Sequence, residues 1–305
     1  MERTLARAGE RTGTRRRQIT KYLPAFLFLS PWIIGVLVFY VYPICAALYY
    51  SFHQYDVLRP ARWIGWANYQ RLPGDRYFRQ ALKNTLLYVS VGVPGALLMG
   101  FLQAILLNVK VRGQQLFRTL ALVPGTVPIA AAAAVWLNIV TPGSGLVNNV
   151  FRALGLSTQK WIADPHAVKW VFVGMSIWWG SGMLVFLAGL QAVPLELYEA
   201  AEVDGARWYH RFFYVTLPMM TPSILFNLLM GLIGAFQYFA FPMLMTEGGP
   251  VGGSTFFGQY LYESAFEFWQ MGYASAQAWI LFVICAIVVF LIFRSSARWV
   301  YYEAE

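Results

Sequence analysis

The chain has 305 residues, of which 58% are hydrophobic and only 12% charged, with a mean hydropathy of +0.51. That is more apolar surface than a soluble core of this size uses, so the composition excludes an ordinary soluble domain and points to a polytopic membrane protein. The formal net charge of +9 does not mark a nucleic-acid binder, because the basic residues gather at the amino terminus and beside apolar runs, where positive-inside anchoring accounts for them.

Residues 1–23 form a basic tail with seven Lys and Arg from Arg3 to Lys21 and almost no apolar pattern. The run that follows, from Pro24 to about Tyr50, is longer than the roughly 7 to 15 apolar residues of a secretory signal and is expected to stay as a membrane helix, bent at Pro31 and Pro43. Five further runs are long enough to cross about 30 Å of hydrocarbon: 84–108, 119–140, 168–190, 217–245 and 274–293. Six spans put both termini on one side. With the tail inside, the inner segments hold fourteen of the 23 Lys and Arg, and six of the nine outer ones lie between Arg59 and Lys83. The charge bias therefore favours cytoplasmic termini, with that outer loop opposing it.

Along the second span, Ala96, Gly100 and Ala104 recur every four residues and let another helix approach closely. On the fourth, Gly174, Trp178 and Ser181 share a helical face beside Trp179 and Gly180. On the fifth, Asn227, Gly231, Gly234 and Tyr238 fall at i, i+4, i+7 and i+11, with Gln237 alongside. A polar stripe in lipid must face protein or water. Amide and hydroxyl groups beside aromatic faces suit the hydroxyls and C–H surface of a sugar; interhelical packing through Asn, Gln and an interfacial Trp is the equally open alternative.

Between the fourth and fifth spans lies an acidic, amphipathic stretch, 194–218, holding four of the fourteen acidic residues within Glu196 to Asp204. Pro194 suits a helix start, with Glu196 and Glu199 near the positive end. Asp204-Gly205 breaks that helix, Asp204 is placed to cap the next one, and 206–215 resumes as a second short helix. The pattern is that of a docking surface.

No Asp, Glu, Lys, Arg or His falls between the helix ends, Lys169 lying only at a rim, which argues against a proton relay. No GxxxxGK[ST] phosphate loop occurs, so energy must come from another subunit. Cys45 and Cys285 are isolated within apolar runs, and His53, His166 and His210 are expected as solvated loop residues without ligand spacing; no metal site follows.

Glu199-Ala200-Ala201, Asp204-Gly205-Ala206, Phe212 and Leu217-Pro218 resemble the EAA signature of membrane subunits of bacterial ATP-binding-cassette importers, at the family's spacing. Trp63-Ile64-Gly65 with Asn68-Tyr69, Gly248-Gly249-Pro250 and Gly272-Tyr273-Ala274 extend the resemblance over about 25–295. It is to the first permease of the maltose and glycerol-phosphate type, without the maltose protein's extra amino-terminal helices and large outer domain. The resemblance implies an all-α integral membrane protein of the type I importer permease fold, with six transmembrane helices in 24–295 and cytoplasmic tails at 1–23 and 296–305. It implies a coupling loop at 194–218 that fits a cleft on a cytoplasmic ATPase. There Glu199 makes an ionic contact, Gly205 and Asp204 form the turn, and Ala200, Ala201 and Ala206 pack closely. It places sugar contacts on the helices flanking that loop, at Ala235, Gln237 and Tyr238, with Trp178, Gly180 and Ser181 as candidates on the fourth span; Asn227 is a candidate contact from the polar stripe of the fifth.

The partners implied are a homologous second permease, two ATPase subunits carrying ATP and Mg, and an extracytoplasmic solute-binding protein. The implied location is the bacterial inner membrane. This chain itself is expected to bind no cofactor and to be no enzyme. Val215 replaces the commoner isoleucine, Ala235 cannot hydrogen-bond through its side chain, and Glu247 stands where relatives often have glycine. The expected solute is a sugar or oligosaccharide, with glycerol phosphate or a polyol as the alternative. An ion-coupled secondary carrier or a non-transporting membrane anchor would be the rivals of another class.

Overall fold

A computed structural model describes residues 27–180 and 182–301; the expectations for the tails at 1–23 and 302–305, and for Ser181, lie outside the described residues. Five helices are long and apolar enough to cross a membrane, and a bent pair makes a sixth span. In chain order these are α1 (Leu27–Ser51), a two-residue hairpin of β1 (His53–Gln54) and β2 (Arg62–Trp63), α2 (Ala67–Arg71), α3 (Arg76–Asn108), and α4 (Gln114–Thr126) with α5 (Ile129–Val140). After the short α6 (Leu146–Ala153) come α7 (Val168–Trp179) and α8 (Met183–Ala192), two halves of one span. Then follow α9 (Leu195–Val203), α10 (Trp208–Phe236), α11 (Ala240–Thr246), α12 (Phe257–Tyr262, continued by a π turn at Glu263–Glu267) and α13 (Met271–Ser296).

The spans differ from expectation where proline or glycine cuts the backbone. The third is not one helix: α4 and α5 meet at 96°. Pro124 and Pro128 lack the N–H a helix needs there, and Val127, ahead of Pro128, is extended at ψ 130°. The fifth stops at Phe236 rather than Met245 and begins earlier, at Trp208. Within it Pro222 frees the carbonyl of Pro218, which instead accepts from the Thr221 hydroxyl at 2.6 Å. The second starts at Arg76, well before the apolar run.

The core lies around α3. Ala96, Gly100 and Ala104 are buried on the face that receives α7 and α8, while α10 closes the other side. Phe101 and Phe186 meet edge to face with centroids 5.3 Å apart. By contrast α1 has no buried apolar window and touches the bundle mainly along α13.

Spans alternate in direction, so residues 109–113 and the 193–207 stretch share one end of the bundle, the elbow end. At the far end, single polar side chains hold the loops. Asn84, 2% exposed, donates through Nδ2 to the carbonyls of Gly252, Gly253 and Thr255 at 3.2, 3.1 and 2.9 Å. Asn68 donates likewise to Ser51 and His53 at 2.9 and 3.0 Å. His53 is not solvated as expected. It is 3% exposed, with Nδ1 2.7 Å from the Tyr49 carbonyl and its ring against Tyr49 and Trp63, because α13 presses Gly272 onto its backbone. His166 and His210 are exposed as expected.

Asp75 caps α3, with Oδ1 accepting from the N–H of Tyr77 and Phe78 at 2.9 and 3.3 Å. Its Oδ2 accepts from the hydroxyls of Tyr260 and Tyr273 at 2.5 and 2.6 Å, so one carboxylate ties α3 to α12 and α13. Burial pushes the Asp75 carboxyl up, but those four hydrogen bonds outweigh it and hold the carboxyl below its ordinary value of 3.8. A depressed folded-state pKa contributes stability that is complete above the unfolded value and lost as pH falls through the folded one. Asp75→Asn is therefore expected to lower the thermal midpoint of the purified chain at pH 7 and to flatten its loss between about pH 5 and 2. A midpoint unchanged at both pH values would contradict the tether.

Candidate functional site

The break in the fourth span follows from two glycines. Gly180 sits at φ +67° and Gly182 at φ +72°, both in the left-handed region that side chains avoid. A Cβ on Gly180 would meet the Gly100 backbone N at 3.1 Å, and one on Gly182 would fall 2.0 Å from Asn227 Oδ1. The unwound backbone is thus pressed between α3 and α10. Irregular backbone at membrane depth is tolerated only where it is buried in protein or lines a cavity, and this segment does both.

The cavity it borders has a volume of about 440 Å³. Gly180, Ser176 and Trp179 supply one wall, Tyr88 and Gly92 of α3 a second, and Asn227, Gly231, Gly234 and Tyr238 a third, with Trp136 of α5 opposite. The polar stripe expected on the fifth span is therefore a lining. Tyr88 and Tyr238 stack with centroids 4.3 Å apart at 19°, and Phe172 and Phe256 brace Tyr238 edge to face. Asn227, 5% exposed, spends one amide hydrogen on the Ser223 carbonyl at 3.0 Å. Among the described residues, no charged side chain lines the cavity. Flat aromatic faces, hydroxyls and an amide in a neutral enclosure can bind a polyhydroxylated ring by stacking and hydrogen bonding.

Of the expected contacts, Gly180, Asn227 and Tyr238 come together in this lining, as does Ala235. Trp178 is 71% exposed and lies off it, as does exposed Gln237, the residue that ends α10. Gly174 and Trp178 lie on α7, which stops at Trp179, and Ser181 lies outside the described residues. Sequence reasoning noted Trp179 beside the fourth-span face but passed over Tyr88, Ser176 and Trp136. Of these Tyr88 had a signal: it lies about two turns before the small-residue stripe on the same span.

The 194–218 stretch forms an elbow. Pro194 caps α9 as expected, whereas Asp204 does not cap the following helix: it ends α9, donating its N–H to Ala200 at 3.1 Å. Gly205 at φ +73° and Ala206 complete the turn by donating to Glu202 and Ala201 at 3.0 and 2.9 Å, a pairing that satisfies the last carbonyls of α9. Arg207 occupies the cap position of α10, and the second helix does not end at Val215 but runs on through a π turn, Phe212–Thr216, into the span. Two contacts lock the elbow's arms: Tyr198 and Thr216 share a hydroxyl hydrogen bond of 2.9 Å, and Arg211 pairs with Glu202 at 3.4 Å. Glu199, Ala200, Asp204 and Gly205 are exposed, Ala201 and Ala206 half-buried. Val203 at 89% and Trp208 at 74% exposure add apolar surface beside the carboxylates.

The family model of the binding-protein-dependent transport system inner membrane component matches residues 76–301. The chain is 39% identical over 288 residues to a probable ABC transporter permease protein, YesP, of Bacillus subtilis, covering 93% of each. It is 35% identical over 302 residues to the sulfoquinovosyl glycerol transport system permease protein SmoG of Agrobacterium fabrum, covering 95% of this chain and 97% of the relative. In fold it is similar to a chain of a bacterial alginate ABC transporter in complex with an alginate pentasaccharide-bound periplasmic protein, with a TM-score of 0.82 at 24% identity over 92% of this chain and 96% of that one.

The Gly182 contact is directly testable. Gly182→Ala combines a left-handed penalty of about 1–2 kcal/mol with overpacking of about 1–3 kcal/mol. It should lower the thermal midpoint of the purified chain, and Gly182→Ala/Asn227→Ala, which clears the clash, should recover part of the loss. Equal midpoints for wild type and Gly182→Ala would contradict the packing described.

Proposed function

The chain belongs to the family of binding-protein-dependent transport system inner membrane components, and on that premise we propose that it conducts a saccharide through the 440 Å³ cavity beside its broken span. It is a multi-pass membrane permease subunit of an ABC importer and not an enzyme; ATP is hydrolysed on a separate subunit. The observation that carries the saccharide reading is the stacked Tyr88–Tyr238 pair set among neutral hydrogen-bonding groups at the break. A relative over most of its length is named for sulfoquinovosyl glycerol, a glycoside, which agrees with a sugar-containing solute. The uncharged lining favours a neutral saccharide over glycerol phosphate, because no cation among the described residues lines the cavity.

The remaining assembly is part of the same proposal. A homologous second permease completes the pathway, an extracytoplasmic protein delivers the solute at the far end, and two ATPase subunits holding ATP and Mg clasp the elbow in the cytoplasm. The spans lie at 24–295 in the inner membrane, with both termini cytoplasmic. Glu199 offers its carboxylate to a basic group of the ATPase, with Ala200, Ala201 and Ala206 packing close to that subunit around the Asp204-Gly205 turn. The lining residues Gly180, Asn227 and Tyr238 meet the solute; Trp178, Ser181 and Gln237 flank them in sequence.

The elbow is joined to α8, which begins at the broken span, and to α10, which walls the cavity. Only Val193 and Pro194 separate α8 from α9, and the Tyr198–Thr216 bond fastens α9 to the foot of α10. Closure of the ATPases would therefore tilt Gly182 and Asn227 as one body. No step makes or breaks a covalent bond in the solute.

In proteoliposomes holding the assembled importer, Glu199→Lys is expected to abolish ATP-dependent uptake while the protein still inserts, and normal uptake would refute the coupling role. Tyr238→Ala is expected to raise the solute concentration for half-maximal uptake by about tenfold, equivalent to about 1.4 kcal/mol, with ATP hydrolysis retained. An unaltered concentration dependence would remove Tyr238 from the pathway.

A further inference from the structure

One face of α3 changes character along its length. Arg76, Arg79 and Lys83, spaced i, i+3 and i+7, are all exposed, and the same exposed row continues as Leu86, Val91, Leu98, Leu102 and Leu106. The five-residue step from Leu86 to Val91 is what the π turn at Tyr88–Gly92 requires to keep the row on one side. From Leu86 to Leu106 is twenty residues, about 30 Å at 1.5 Å each, the thickness of the hydrocarbon core. With that segment in the core, Lys83 sits about 4.5 Å beyond its far edge and Arg79 about 10 Å, within the headgroup layer or within reach of it by snorkelling, while Arg76 stands about 15 Å out.

None of the three forms an ion pair among the described residues, where the only carboxylate partners are those of Arg59 and Arg211. Asp75, next to the row, has both oxygens engaged by two tyrosine hydroxyls and two backbone N–H groups. The exposed rings of Trp63, Trp66 and Tyr77 lie in the same far-end region, in the manner of an interfacial aromatic belt. This is the outer loop whose six cations oppose the positive-inside bias. A cationic row placed at headgroup height, directly above a lipid-length apolar row on the same helix face, needs an anionic occupant in the plane of the membrane.

We propose that Arg76, Arg79 and Lys83 form a binding site for the phosphate headgroups of anionic lipids in the leaflet opposite the elbow, which anchors α3 at its cavity-bearing end. Tyr88 lies on the same helix one turn and a half below Lys83, so the anchor holds one wall of the cavity at fixed depth.

The test uses the full chain reconstituted in phosphatidylcholine nanodiscs with a minor fraction of phosphatidylglycerol, and spin-labelled versions of the two lipids to measure which is retained at the protein surface. Wild type is expected to prefer phosphatidylglycerol by about fivefold at low salt, the gain of roughly one surface cation, and to lose the preference as potassium chloride rises. Arg76→Gln/Arg79→Gln/Lys83→Gln should lose most of that preference, whereas Lys110→Gln/Arg112→Gln/Arg118→Gln, at the elbow end, should keep it. The charge-retaining Arg76→Lys/Arg79→Lys/Lys83→Arg variant should behave as wild type, which separates loss of charge from damage to folding. A far-end Gln variant with wild-type preference, or a wild-type preference indifferent to salt, would overturn the proposal. So would a far-end Gln variant that keeps its lipid preference but no longer co-purifies with a second permease, since the row would then be a protein interface.

Discussion

The contact between Gly182 and Asn227 is the constraint on which the rest of the molecule turns. A helix cannot be interrupted in hydrocarbon without exposing unpaired backbone groups, each costly there, so the break at 180–182 must be enclosed by protein on one side and open to a polar space on the other. Gly100 on α3 and Asn227 on α10 supply the enclosure, and both approach closer than any side chain on Gly180 or Gly182 would allow. The polar space is the cavity. Its walls consequently include α3 and α10, the two helices that hold the break in place, and a displacement of either alters the cavity's shape.

The elbow is attached to this arrangement by the shortest routes available. Two residues separate α8 from α9, and the end of α9 is satisfied by a left-handed glycine and two backbone bonds, leaving no slack. Beyond the turn, α10 is continuous from the elbow to the cavity over Trp208–Phe236. The π turn at its foot carries Thr216, which receives Tyr198, so the two arms are cross-braced where they enter the membrane. Exposed Glu199, Val203 and Trp208 on the outside of this brace combine charge with apolar area.

Hydropathy and spacing disclosed the six spans, the elbow and the polar stripe on the fifth span, because each is a local pattern with its own period. What they concealed depends on tertiary contact. Gly180 and Gly182 are unremarkable in a membrane helix until the neighbours that crowd them are known, and Tyr88 becomes a wall only when α10 brings Tyr238 to stack upon it. Several residues that carry the family resemblance proved to be architectural. Asn68 pins the hairpin, Tyr69 bonds Ser51 at 2.8 Å, Gly248 adopts φ +81° against Thr255, and Gly272 packs on the His53 carbonyl. Glu247, found where a glycine is usual, sits at φ +48°, which explains that preference physically. Asp75 gave no signal at all, since a single carboxylate before a helix is ordinary until two distant tyrosines reach it.

The central claim is that the cavity beside the broken span lies on the transport path and opens alternately to the two sides. The direct measurement is the reactivity of Met230→Cys, a lining position, in a chain whose Cys45 and Cys285 are replaced by serine, within the assembled importer. A membrane-impermeant thiol reagent is applied from one side and then the other, with and without ATP. The account predicts that ATP moves the reactive side from the elbow end to the far end. Labelling from a single side at the same rate in both conditions would contradict it.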